Sequence, residues 1–174
     1  GVFDPQKLQA LNADHIKAAT PQSLVGHLRP FLAARGINHP DTDYLAAAIE
    51  TLQSRSKTLV EMAEGALFYF EDKVTYEEKA AHKFLKPAIL EPFRFLIDQL
   101  GTIAVFDDAS IEAAFVDTME KAGLKLGKIA QPVRVALTGK TVSPGIFEII
   151  RVLGKTATID SLNQAADYMA ARSA

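Results

Sequence analysis

The sequence predicts an all-α fold of two packed helical subdomains, of the helix-bundle or α-helix-cage type. Nearly every start and stop signal in the 174 residues is typical of helices, and no segment alternates polar and apolar residues between turn signals. Hydrophobic residues make up 48% of the chain, so a substantial core can be buried.

The first three helices are each predicted from a capping residue. Asp4-Pro5 and Thr20-Pro21 both combine an N-cap with a proline in the first helical turn. Gly36 follows the second helix, where a C-terminal cap is expected. The segment HPDTDYLAAAIETLQ predicts a third helix that starts at Asp41 or Thr42.

The middle of the chain continues the helical pattern. SKTLVEMAEGALFYF predicts a fourth helix, and Thr75 with Glu78 fits a capping box for a short fifth. Two prolines, Pro87 and Pro92, interrupt the next apolar segment, so its helix either begins after the second proline or is kinked there.

The C-terminal part predicts four more helices. One runs from an Asp/Ser start to Gly123, and PVRVALTGKTVSPGIFEII supplies two, the first ending at Thr138-Gly139 and the second starting at Ser143-Pro144. The last follows a stop at Gly154. A change of composition near residues 101–109 predicts a boundary between an N-terminal subdomain, 1–104, and a C-terminal subdomain, 105–174.

Charge is divided unevenly along the chain. From Met119 onward there are eight basic and four acidic residues, a net charge of +4, whereas the whole chain has a formal charge of −2. Such a gradient is typical of a protein with one end that binds polyanions, and a solvated helical face produces the same pattern.

Most kinds of enzyme site have no support in this sequence. There is no cysteine, and the four histidines, His15, His27, His39 and His82, form no helical metal-binding pair. No phosphate loop, nucleophile elbow or dinucleotide-binding motif occurs. Because no run reaches the length of a membrane span and the first residues do not resemble a signal peptide, we expect a cytoplasmic chain without membrane contact.

One arginine is an exception within an apolar helical segment. Arg134 lies between Val133 and Val135, and its guanidinium offers five donors that suit base edges and phosphates. The structural alternative is an arginine that reaches solvent or pairs with a buried acid.

The turn after Arg134 adds a second feature of an RNA-binding surface. Amides at the start of the following helix favour anions, Gly145 removes side-chain bulk there, and Lys140 lies in the connecting loop. Together with Arg134 these groups predict a surface for the unstacked bases and phosphates of a single-stranded RNA loop.

Three segments carry a family resemblance. GKIAQPVRVALTGKTVSPGIFEIIRVLGK resembles the C-terminal anticodon-binding region of bacterial-type glutamyl-tRNA synthetases, whose pattern is Arg-x-Ala-Leu-Thr-Gly, a short loop, and [Ser/Thr]-Pro-Gly-Leu-Phe-Glu. FDPQKLQALNADHI and RSKTLVEMAEGALFYF are similar to two other segments of that family. The resemblance covers nearly the whole chain.

The resemblance implies two helical subdomains, the first nearer the tRNA stem and the second recognising the anticodon, that grip the anticodon arm of glutamate tRNA. It also implies that Arg55 lies near the last anticodon base. Residues at the anticodon bases would be Arg134, Ser143, Pro144 and Ile146. Residues that shape the turn or approach phosphate would be Thr138, Gly139, Lys140 and Gly145.

The catalytic segments of the family are absent from this chain. Class I synthetases bind ATP and magnesium in a Rossmann catalytic domain with HIGH-like and KMSKS-like segments, and neither occurs here. The resemblance therefore implies a partner catalytic domain, no cofactor in this chain, and tRNA binding without activation of glutamate. Whether the chain distinguishes glutamate from glutamine tRNA stays open.

A rival interpretation is a helical protein-interaction module without RNA binding. In that case the acidic N-terminal part would dock another protein through an aromatic surface, and the alternative is that the same aromatics form core. These aromatics are Phe68, Tyr69, Phe70, Phe93 and Phe95.

Overall fold

The computed structural model describes residues 11–172, and within them it contains α-helices, short 3₁₀ turns and no strand. The all-α prediction is confirmed. The α-helices are α1 (Ala13–Ala18), α2 (Pro21–Ala33), α3 (Thr42–Leu52), α4 (Leu59–Ala66), α5 (Glu78–Phe84), α6 (Leu90–Gly101), α7 (Asp108–Ala122), α8 (Leu126–Thr138) and α9 (Ile146–Arg172). The 3₁₀ turns are Gln53–Arg55, Leu67–Tyr69 and Pro87–Ile89. Over the described residues, no helix is long and apolar enough to cross a bilayer.

The chain divides into two compact units, the first ending at Glu71 and the second beginning at Asp72. The boundary predicted at residues 104 and 105 therefore falls inside the second unit. The reason is that α6, before that point, packs against both α7 and α9, which follow it. The change of composition near residues 101–109 marks only the loop between α6 and α7.

In the first unit, α2 packs against α3 and α4. The apolar stripe of α2 is fully buried because its leucines recur at helical spacing. The core side chains of the first unit include Leu24, Leu28, Leu32, Leu45, Ile49, Leu59 and Met62. Predicted caps are confirmed here: Thr20 accepts from the Ser23 amide at 3.2 Å, and Asp41 accepts from the Tyr44 amide at 2.9 Å.

In the second unit, α9 packs against α6, α7 and α8, and α5 packs against α8. Buried side chains of this core include Phe93, Leu96, Ile111, Phe115, Ile129, Val133, Ile149 and Leu162. Gly154, with φ at +81°, interrupts α9 with a kink at the position of the predicted stop. Asp107 caps α7 by accepting from the Ser110 amide at 2.8 Å, a bond that lowers the pKa of Asp107.

Several predicted boundaries need correction or fall elsewhere. The helix start predicted at Asp4-Pro5 lies outside the described residues. The capping box of Thr75 and Glu78 does not form, since α5 begins after Glu77 without a side-chain cap. Pro92 neither precedes nor kinks its helix but lies within the first turn of α6, where a missing amide has no helical acceptor to lose.

Candidate nucleic-acid interface

Helix α8 carries the arginine that the sequence singles out. Its apolar residues recur at helical spacing, so Ile129, Val133 and Leu137 are buried against the rest of the second unit. Arg134 lies one position beyond this buried face and is half-buried. The guanidinium is therefore held at the edge of the core, one turn before the helix ends.

The guanidinium of Arg134 binds the loop that leads to α9. Its Nη1 atom donates to the carbonyl oxygens of Ser143 and Pro144 at 3.3 and 2.7 Å, and also to the Ser143 hydroxyl. Its Nε atom donates to Oε1 of Gln131, one turn earlier, at 2.8 Å. Through these bonds Arg134 ties α8 to the loop before α9. Their acceptors are an amide oxygen, two carbonyl oxygens and a hydroxyl.

Helix α8 ends at a glycine, as predicted. Gly139 has φ at +77° and its amide donates to the Val135 carbonyl at 2.7 Å. Thr138 supports the same turn because its hydroxyl donates to the Arg134 carbonyl at 2.8 Å and accepts from the Lys140 amide at 3.1 Å. These bonds make the turn rigid where the connecting loop begins.

A segment from the beginning of the second unit crosses this turn; we name residues 74–77 the strap. The Glu77 amide donates to the Gly139 carbonyl at 2.8 Å. A Cβ atom on Gly139 would lie 2.0 Å from the Thr75 carbonyl oxygen, so only glycine allows this approach. This bond joins the residue that precedes α5 to the end of α8.

The strap is fixed to α9 by one side-chain amide. Gln164 accepts from the Val74 amide at 3.0 Å and donates to the Val74 carbonyl at 2.8 Å. The ring of Tyr76 packs edge-on against Tyr168, with centroids 5.4 Å apart. Burial raises the pKa of Tyr76 to about 12, against an opposing contribution from Gln164.

Helix α9 starts two residues later than the cap-then-proline rule predicts. Ser143 does not cap it, because its hydroxyl bonds to Arg134 and to the Pro144 carbonyl. The amide before the helix, on Gly145, donates to Oε2 of Glu148 at 3.1 Å. The N-terminus predicted to favour anions therefore already has a carboxylate beside it.

The predicted site residues divide by exposure. Lys140 and Gly145 are exposed and Ser143 is half-buried, so these positions are accessible to solvent. Pro144 is buried and Ile146 is only 5% exposed, so their side chains pack into the core. Sequence reasoning missed Val142, which is 71% exposed at the end of the loop, and it gave Glu148 and the strap no role in the site.

Arg55 belongs to the other unit. It is exposed in the 3₁₀ turn after α3, where the Ser56 hydroxyl donates to the Leu52 carbonyl at 2.8 Å. The structure thus brings together the residues predicted between 134 and 146, whereas Arg55 stands in a separate unit. Within the described residues no group of three His, Asp or Glu side chains is placed to hold a metal ion.

The family of this chain follows from a comparison with known proteins. The family model described as an anticodon binding domain matches residues 23–166. This range covers most of each unit and all of residues 134–146, which we name the Arg134 turn. The chain belongs to the anticodon-binding domain family.

Curated relatives of this anticodon-binding domain are named as glutamate–tRNA ligases. One from Desulfosudis oleivorans is 50% identical over 97% of this chain, and one from Syntrophobacter fumaroxidans is 49% identical over the same share. The chain spans 36% of the length of each. A solved glutamate tRNA ligase from Elizabethkingia meningosepticum, crystallised with its amino acid, has the same fold, with a TM-score of 0.80 at 20% identity over 96% of this chain and 33% of that one.

The first unit of this anticodon-binding domain contains a second arginine-held loop. Arg29 of α2 donates through Nη1 to the Pro40 carbonyl at 3.0 Å and through Nη2 to the Thr42 hydroxyl at 2.8 Å. A surface cavity of about 290 Å³ lies beside it, lined by Gly26, Arg29, Pro30, Ala33, Ile37, Asn38, His39 and Pro40. Sequence reasoning missed this loop, although its order of arginine, glycine and proline resembles that around Arg134.

The aromatic residues of this anticodon-binding domain are largely core. Tyr69 is 5% exposed and Phe93 is fully buried, while Phe68, Phe70 and Phe95 are half-buried. Tyr44 packs edge-on against both Tyr69 and Phe70 in the first unit. The rival interpretation required a continuous exposed aromatic surface, and these burials do not favour it.

Proposed function

We propose that this chain is the anticodon-binding portion of a glutamate–tRNA ligase and that it grips the anticodon arm of glutamate tRNA. The observation that carries the proposal is the identity of about 50% to glutamate–tRNA ligases over 97% of the chain. The match of an anticodon binding domain to residues 23–166 agrees with it.

In this proposal the Arg134 turn is the surface that meets the anticodon bases. Arg134 and Ser143 present donors and acceptors at the edge of the core, and Lys140 supplies positive charge beside them. Pro144 and Ile146 act through the backbone that they hold in place, because their side chains are buried. Thr138, Gly139 and Gly145 shape the turn, and Arg55 approaches the last anticodon base from the first unit.

The chemistry of ligation lies outside this chain in the proposal. ATP and magnesium bind a Rossmann catalytic domain that is this chain's partner, and the reaction takes place in the cytoplasm. Accordingly, the 174-residue chain alone should bind tRNA but show no glutamate-dependent exchange of pyrophosphate into ATP. Exchange activity of the purified chain would contradict this division of labour.

The proposal is tested by titrating the isotope-labelled chain with the anticodon stem-loop of glutamate tRNA. We expect the amide signals of Arg134, Lys140 and Gly145 to shift with this RNA. A stem-loop with substituted anticodon bases is the matched control and should shift them much less. If neither RNA moves these signals, the anticodon function of the turn is refuted and a protein partner becomes the better hypothesis.

A further inference from the structure

One peptide unit of the Arg134 turn lies between two charged side chains. The carbonyl of Pro144 accepts from Nη1 of Arg134 at 2.7 Å, and the N–H of the same peptide, on Gly145, donates to Oε2 of Glu148 at 3.1 Å. Bonds to charged groups are stronger than neutral ones, and bonds at the two ends of one peptide polarise each other. The orientation of this peptide is therefore set from both sides.

Glu148 is suited to this task by its position. It is the third residue of α9 and is exposed, so its carboxylate can reach back to the amide that precedes the helix. A Cβ atom on Gly145 would lie 3.0 Å from Oε2 of Glu148, so glycine leaves the carboxylate undisturbed. A phosphate that approached the same helix end would meet this negative charge.

We propose that Glu148 is a positioning and specificity-determining residue of the anticodon surface, an inference that rests on the proposed function. Its carboxylate holds the Pro144–Gly145 peptide in the orientation in which the carbonyl binds Arg134. Its charge disfavours backbone phosphate at the start of α9, so the surface around Arg134 is left to the bases. Selectivity for the anticodon then depends on a residue that does not read a base itself.

Two variants separate the hydrogen bond from the charge. Glu148→Gln keeps an oxygen that accepts from Gly145 but loses the charge, whereas Glu148→Ala loses both. Glu120→Gln, at an exposed carboxylate near the end of α7, controls for the change of net charge. Each chain is titrated with the glutamate anticodon stem-loop and with the base-substituted stem-loop over a range of salt concentrations.

We expect Glu148→Ala to bind the glutamate stem-loop about tenfold more weakly, because the peptide and Arg134 lose their orientation. Glu148→Gln should lose less affinity for that RNA than Glu148→Ala, because its amide oxygen still accepts from Gly145, and it should bind the substituted stem-loop about two- to fivefold more tightly, as expected for one charge at a helix end. Its affinity should also fall more steeply with salt, because one more phosphate is admitted. Glu120→Gln should change neither ratio.

The outcomes separate this inference from the proposed function. If the unsubstituted chain binds both stem-loops equally, the proposed function fails. If it discriminates and both Glu148 variants retain the same ratio, the inference fails alone. If Glu148→Gln loses as much affinity as Glu148→Ala for the glutamate stem-loop, the acceptor that Gln retains has no effect and the positioning role is wrong. Should Glu148→Ala not fold, as judged by its thermal transition, the ratio measured with Glu148→Gln decides.

Discussion

Each unit of this anticodon-binding domain contains a joint in which a helical arginine binds the carbonyl of a proline just before the next helix. In the first joint Arg29 binds Pro40, and in the second Arg134 binds Pro144. The surroundings differ, because the second joint is crossed by the strap and its peptide is also bound by Glu148. An arginine bound to a proline carbonyl is therefore not enough to indicate a binding site, because both units have one. The second joint is distinguished by its contacts with the strap and with Glu148.

The glycines of the two joints give the sharpest test of this difference. Gly36 and Gly139 both have positive φ, but a Cβ on Gly36 has no neighbour within 4 Å, whereas one on Gly139 would lie 2.0 Å from the Thr75 carbonyl oxygen. Gly36→Ala should lower the free energy of unfolding by about 1–2 kcal/mol, the cost of a left-handed alanine. Gly139→Ala should lower it by roughly 3 kcal/mol or more, because the strap is displaced as well.

Urea unfolding of both glycine variants measures this contrast. Hydrogen exchange of the Glu77 amide is a second readout, since only Gly139→Ala should free that amide from its carbonyl acceptor. Equal losses of stability in the two variants would show that the strap yields without cost and that the joints are equivalent.

The arginines test whether the joints also differ in function. Arg134→Ala should weaken binding of the glutamate anticodon stem-loop by about 1–3 kcal/mol if the guanidinium reads a base. Arg29→Ala is the matched control, because it removes a similar set of loop hydrogen bonds. It should leave the ratio of affinities for the glutamate and base-substituted stem-loops unchanged.

Fluorescence anisotropy with labelled stem-loops gives both ratios. If Arg134→Ala weakened binding equally for both RNAs, the arginine would contact phosphate rather than a base. If Arg29→Ala changed the ratio as much as Arg134→Ala, the first joint would belong to the RNA surface too.

Each unit also contains a tyrosine with a raised pKa. These two residues allow the alkaline stability of the units to be compared. Burial raises the pKa of Tyr44 and of Tyr76 to about 12, from about 10 in an unfolded chain. Between these values the unfolded state loses a proton that the folded state keeps. The contribution of each tyrosine to the free energy of unfolding is therefore fully present below pH 10 and is lost as the pH rises toward 12. After allowance for the partial exposure of the two residues, the loss is about 1 kcal/mol per tyrosine.

Unfolding measured at intervals from pH 9 to 12 tests this expectation. Tyr44→Phe and Tyr76→Phe should each flatten part of the decline, while the titration of lysines remains common to all three chains. A decline unchanged in both variants would mean that neither tyrosine stays protonated in the folded state above pH 10.

The smallest contrast concerns the hydroxyls that the two arginines bind. Thr42→Val removes an acceptor of Arg29, and Ser143→Ala removes one of several acceptors of Arg134. Each should cost about 0.5–1.5 kcal/mol of stability, with Ser143→Ala at the lower end because two carbonyl oxygens still accept from the same Nη1 atom. Thermal unfolding of both variants measures the two losses of stability. A larger loss for Ser143→Ala than for Thr42→Val would contradict this prediction.

The helix stops and most caps could be predicted because they depend on neighbours in sequence. Asp41 and Asp107 cap the helices that follow them, and Gly123 and Gly139 end theirs in the left-handed conformation. The two failed caps both lie where a residue from another element binds the chain. Glu77 donates to Gly139, and the Ser143 hydroxyl bonds to Arg134 instead of to the next helix.

The candidate site could be located from sequence but not assembled. Family resemblance selected the residues from Arg134 to Ile146, yet which side chains face outward depends on how α9 packs, and that buries Ile146. The first joint went unrecognised because no resemblance pointed to Arg29. The order of Arg29, Gly36 and Pro40 along the chain was the available signal, and it can be recognised only once the second joint is known.

The hydrogen bonds between Gln164 and Val74 also affect the order in which parts of the chain can fold. Its partners are separated by 90 residues, so the strap has no fixed position until α9 has been synthesised. The first unit has all its own helices by Glu71 and is free to fold while translation of the second unit continues. The surface proposed to read tRNA is thus completed only after α9 has been synthesised and provides the anchor for the strap.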